Sequence, residues 1–172
     1  MAKPFADAVV ALKQAVPELA IISPVADSVA KDVGAAAGVD PRLNEIILLP
    51  EKSKLDAMAC ATVALACSGT VTTQLACAGV PTVVAYRLSG FSYVIIRSMI
   101  KLKYMSMVNI AADKALMPEF VQSAVKGDAL AQALIPYLTD TKKRAAASSA
   151  LINQTDESVS YTHLTLPTTP YV

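Results

Sequence analysis

The sequence predicts an α/β protein built on a parallel sheet. Three observations point there. Four short apolar runs, rich in Val, Ile, Leu and Ala, alternate with segments of helical period. The runs lack the polar–apolar alternation of a half-exposed strand, as strands covered on both faces do. Proline or glycine punctuates the junctions. With 172 residues, 54% of them hydrophobic, the chain is long enough for one domain with a substantial core.

In order, Phe5, Val9, Leu12 and Val16 fall on one helical face, so residues 3–16 are predicted helical, with Pro17 as the stop. Residues 19–23, "LAIIS", form the first strand candidate, closed by Pro24. A helix is expected over 25–37, ended by Gly38. Residues 45–50, "EIILLP", form the second strand, and Ser53 is placed to cap a short helix through Met58. Residues 62–67, "TVALAC", form the third strand. A helix over 71–78 follows, with Gly79 as its stop, and 81–86, "PTVVAY", is the fourth strand. Beyond residue 89 the pattern is mostly helical. Leu130, Leu134 and Leu138 share a face behind Asp128 as cap, Pro136 is expected to kink or shorten that helix, and an Ala-rich helix covers 140–152. After Glu157 the chain holds no Asp, Glu, Lys or Arg, and residues 153–172 are expected to be a disordered or artefactual tail, the alternative being a native tail that pairs with a sheet edge.

The formal net charge of +1 gives no reason to expect nucleic acid as a partner. Cys60, Cys67 and Cys77 have no metal-ligand spacing and are expected to be buried, reduced thiols. The only histidine, His163, lies in the tail, which removes a Ser–His or Cys–His pair from the globular part. No metal or other cofactor is indicated.

Ligands of parallel sheets sit at the C-terminal ends of the strands, and Ser68-Gly69-Thr70 lies at such an end. Amides of a helix start lack partners and carry partial positive charge, a glycine clears the approach, and two hydroxyls add donors. The turn therefore suits a phosphate, or is an ordinary capping turn; it is neither GxGxxG nor a Walker loop. Gln74, one helical turn on, is placed to bond a sugar hydroxyl. Residues 86–104 carry Arg87, Arg97, Lys101 and Lys103 with no acid; on a helix, Tyr93, Ile96, Arg97, Ile100 and Lys101 share a side that fits a lipid headgroup interface, or packing on another domain. Asn109 reads as a loop ligand or a turn residue, and Glu119 and Gln122 as site groups or a solvated helical turn after Pro118.

Taken as a series, "SGTVTTQLACAGVPTVVAYR", "YMSMVN", "PEFVQ" and "ALAQALIPYLTD" resemble the C-terminal half of the lipid-A-disaccharide synthases, over about residues 3–150. The resemblance implies a GT-B glycosyltransferase that moves 2,3-diacylglucosamine with inversion from UDP-2,3-diacylglucosamine to 2,3-diacylglucosamine 1-phosphate, without a metal, at the cytoplasmic face of the bacterial inner membrane. It implies that Ser68, Gly69 and Thr70 face the diphosphate, that Gln74 stands where the family usually has a ribose-binding Glu, and that Asn109, Glu119 and Gln122 face the same cleft. Val108 replaces the Pro usual before that Asn. Residues 1–152 then correspond to a UDP-sugar-binding, partial Rossmann-like domain without its first strand. Such a chain is expected to be poorly stable and inactive by itself, which transfer at full-length rates would contradict. The alternatives are a noncatalytic nucleotide- or lipid-binding domain, or another GT-B enzyme with a soluble acceptor, such as a UDP-GlcNAc epimerase.

Overall fold

The computed structural model describes residues 1–26, 28, 40–67, 69–87 and 103–164. The helix expected after the first strand, Ser68, and the basic stretch bearing Tyr93, Ile96, Arg97, Ile100 and Lys101 lie outside the described residues.

Five strands, all paired in parallel, form two sheets among the described residues. Strands β1 (Ile21–Val25) and β2 (Ile46–Pro50) pair with each other. Strands β3 (Ala64–Cys67), β4 (Thr82–Tyr86) and β5 (Glu119–Val121) form the second sheet, in that order. Pro24 does not end β1 but pairs opposite Leu49 inside it. A strand flanked on one side only tolerates a residue with no N–H to give. The fifth strand replaces the helical turn expected after Pro118; three residues are too few to show a period.

β4 is the middle strand of the second sheet. Val83 and Ala85 point to one face, where they meet Ala8 and Leu12 of helix α1 (Ala2–Ala15) and Val125, Leu130 and Leu134 at helix α5 (Gly127–Thr139). Val84 points to the other face and joins Ala76, Val108, Met117 and Leu151. Those residues belong to helices α3 (Thr70–Cys77), α4 (Met107–Ala112) and α6 (Thr141–Leu164) and the loop before β5. The result is three layers with β4 covered on both sides, which explains its uninterrupted apolar sequence. The short helix α2 (Lys54–Cys60) sends Met58 to a smaller cluster with Ala66, Leu75 and Val80.

Several boundaries have visible chemical causes. Gly79, at φ +65°, closes α3: its N–H donates to the Ala76 carbonyl at 2.9 Å and the Val80 N–H to Leu75 at 2.9 Å, the paired bonds of a left-handed helix stop. Asp140 caps α6 by accepting from the amides of Lys142 (2.9 Å) and Lys143 (3.1 Å). Asp128 is not the cap of α5; the helix begins at Gly127 and keeps Asp128 in its first turn, with Pro136 inside it. α6 runs past residue 152 to Leu164, into the stretch expected as a tail.

Helix α1 is also tied to the turn before β2. Arg42 donates from Nη1 to Asp7 at 2.6 Å and from Nε and Nη2 to the two carboxylate oxygens of Asp40 at 2.8 and 2.7 Å. The guanidinium holds both carboxyls below the ordinary Asp range, chiefly through these hydrogen bonds.

Candidate functional site

Strand β3 ends at Cys67, and α3 starts at Thr70. Between them Gly69 has φ +153° and ψ −166°, a backbone that side chains disfavour. A Cβ built at Gly69 meets nothing within 4 Å, so this side of the turn is open, and Gly69 and Thr70 are both exposed. Among the described residues no side chain caps α3. The start of α3 thus lies at the C-terminal end of β3 beside an exposed turn, the kind of place where helix amides can receive anions.

The sequence reading missed Thr72. It is fully buried, and its Oγ1 donates to the Gly69 carbonyl at 2.6 Å, alongside the Thr72 amide at 3.1 Å. Two donors on one carbonyl hold the turn from beneath. Gln74, half-buried one turn farther on, has its Oε1 enclosed with no partner. A buried acceptor left unpaired costs about 1–3 kcal/mol.

Asn109 and Glu119 form a second group. Asn109 is neither a loop ligand nor a turn residue; it lies in α4 and has no exposed surface. Its Oδ1 accepts from the Met117 amide at 2.9 Å, and its Nδ2 donates to the Met117 carbonyl and to Glu119 Oε1, each at 2.7 Å. Every hydrogen of that amide is committed inside the chain. Glu119 opens β5, half-buried, and its carboxylate accepts from the amides of Met105 (2.7 Å) and Ser106 (2.9 Å), from Ser106 Oγ (2.8 Å) and from Asn109. The Asn109 amide and Glu119 Oε1 are thus bonded within the chain. Gln122 follows β5 at φ +53°, and its carbonyl accepts from Arg87 Nε at 3.3 Å.

Arg87, at the exit of β4, also reaches the Val125 carbonyl with Nη2 at 3.4 Å and so fixes the β5–α5 connection. It lines a cleft of about 570 Å³ with Lys3, Asp7, Arg42, Lys126 and Asp128. The Gly69–Thr70 turn is not part of that cleft. The three cysteines are free and exposed, not buried as expected. Desolvation of its sulfur nevertheless pushes the Cys67 thiol up.

The family model described as lipid-A-disaccharide synthetase matches residues 1–165. The chain belongs to the lipid-A-disaccharide synthetase family. It is similar to the lipid-A-disaccharide synthase of Rhodospirillum centenum, 39% identical over 128 residues, which is 74% of this chain and 32% of that protein. With the lipid-A-disaccharide synthase of Paramagnetospirillum magneticum it shares 37% identity over 144 residues, 83% of this chain and 36% of the relative. The lipid-A-disaccharide synthase of Rickettsia prowazekii is 34% identical over 143 residues, again covering 36% of the relative. The chain thus spans about a third of the length of these lipid-A-disaccharide synthetase family members. No helix among the described residues is long and apolar enough to cross a membrane.

Proposed function

We propose that this chain is the nucleotide-holding part of a GT-B glycosyltransferase that forms the lipid A disaccharide. In this reading UDP-2,3-diacylglucosamine binds with its diphosphate at the first-turn amides of α3 and beside Ser68, Gly69 and Thr70. The sugar is transferred to 2,3-diacylglucosamine 1-phosphate with release of UDP. The observation that carries the reading is the open, uncapped Gly69–Thr70 turn at the C-terminal ends of the parallel strands, in a chain of this family. The orphaned Oε1 of Gln74, one turn away, is the group that a ribose hydroxyl would satisfy. The acceptor and the catalytic base belong to parts of the relatives that this chain does not span.

Titration with UDP tests the turn. Thr70→Val removes one exposed hydroxyl while keeping the side-chain shape, so affinity is expected to fall several-fold, the worth of about 1 kcal/mol for one hydrogen bond. Equal binding by the variant would remove Thr70 from the site.

Contact with the membrane surface through Tyr93, Ile96, Arg97, Ile100 and Lys101 is part of the proposal and rests on their sequence pattern. Charge reversal by Arg97→Glu with Lys101→Glu is expected to lower retention on anionic vesicles. Unchanged retention favours the soluble-acceptor class of enzyme.

A further inference from the structure

We propose that Glu119 is the positioning residue of this site, acting through the chain and not on the ligand. The inference rests on the nucleotide reading above. The Glu119 carboxylate meets four donors from its own chain. Oε2 takes the Met105 amide at 2.7 Å, while Oε1 takes the Ser106 amide at 2.9 Å, Ser106 Oγ at 2.8 Å and Asn109 Nδ2 at 2.7 Å. These are short, charge-assisted bonds, and three of the four converge on Oε1.

The donors explain what the carboxylate does. Helix α4 starts at Met107 and leaves its leading amides without helical partners. Ser106 is the cap: its Oγ accepts from the Asn109 amide at 3.3 Å while donating its own hydrogen to Glu119. One hydroxyl therefore links the helix start to β5. Asn109 closes the circuit through both polar atoms of the Met117 backbone. The start of α4, the loop at Met117 and the start of β5 become one rigid unit. On its apolar side Val108 and Met117 pack with Ala76 of α3 and Val84 of β4. Helix α3 carries the Gly69–Thr70 turn at its other end, so the carboxylate sets the wall against which that turn is held.

The test uses the full chain with Glu119→Gln, Ser106→Ala and both together. Two quantities are read: exchange of the Met105 and Ser106 amide hydrogens, and affinity for UDP under conditions where every variant is folded. Glu119→Gln sets a donor against a donor, so one of the two amides should exchange at least tenfold faster and UDP should bind roughly tenfold more weakly. Ser106→Ala removes a single bond and keeps the carboxylate, and should have a smaller effect in the same direction. The double variant should bind UDP no more weakly than Glu119→Gln, because groups acting as one unit are not additive. Weaker UDP binding with unchanged amide exchange would make Glu119 a direct ligand and overturn the proposal. Faster exchange with unchanged UDP affinity would overturn it too, by separating the clamp from the site. If the unaltered chain shows both amides protected yet binds no UDP, the nucleotide reading itself falls and the positioning role falls with it.

Discussion

Replacing Gly127 by alanine is expected to lower the stability of the chain by about 1–3 kcal/mol, the range found when a packed interior is forced to take an extra group. Gly127 is buried at the first residue of α5, where that helix crosses α1. A Cβ there would lie 2.2 Å from Asp7 Cβ and 2.8 Å from both the Asp7 carbonyl carbon and the Ala8 nitrogen. None of these atoms is the free end of a side chain. Relief therefore requires α1 to move as a body, and α1 contributes Ala8, Val9 and Leu12 to the core and Asp7 to the Arg42 pairs. The Arg42–Asp7 pair is the one ion pair of Arg42 that such a shift disturbs, since its bonds to Asp40 stay within the turn. Urea unfolding monitored by circular dichroism gives the measurement. A midpoint unchanged from the parent would mean that the two helices do not approach as closely as they do here.

The same contact shows what a sequence can and cannot disclose. The apolar stripe of α1 was legible because burial on one helical face leaves a period. The four strands before residue 87 were legible because continuous apolar runs between Gly and Pro mark a covered parallel sheet. Gly127 carried no such mark: its role depends on which helix lies across it, and Asp7 is far away in sequence. Thr72 was hidden for a different reason. A threonine inside a helix reads as a weak helix former, and nothing in its neighbours says that its hydroxyl will hold Gly69 from below. β5 was missed because a strand of three residues has no period to detect.

The polar groups around α4 were half legible. Ser106 and Asn109 stand three apart, the spacing of a cap and the residue whose amide it accepts, so a helix start at Met107 was available to reasoning. What the spacing does not disclose is that Glu119 and Met117, eight to ten residues on, return to use up the remaining donors and acceptors. Polar side chains set among apolar ones invite a functional reading, yet here they satisfy one another. Gln74 is the opposite case. Its enclosed oxygen has no such partner.

Asn109→Asp should be the most damaging of the conservative changes, and its cost should depend on pH. The substitution keeps the shape but turns Nδ2, which donates at 2.7 Å to the Met117 carbonyl and at 2.7 Å to Glu119, into an oxygen. Two buried acceptors lose their donor, at about 1–3 kcal/mol each. An ionised carboxyl would also face the carboxylate of Glu119 with no water between, since the Asn109 side chain is fully buried. Burial and a like charge both raise the folded-state pKa of the introduced group above its unfolded value of about 3.9. The sign follows: the folded chain then binds a proton that the unfolded chain has already released. Stability is best preserved below the unfolded value and is lost as pH rises through the raised one. Protonated, the carboxyl can donate to Glu119 and restore one of the two bonds; ionised, it restores neither. Urea midpoints for the variant should therefore fall well below the parent's at neutral pH and recover part of the gap near pH 5, on the order of one unit above that unfolded value. Asn109→Ala, with no group to titrate, should show a deficit that stays constant across the same interval. An Asp variant as stable as the parent at neutral pH would show that the amide of residue 109 does not make these bonds, and the clamp on Ser106 and Glu119 would lose its keystone.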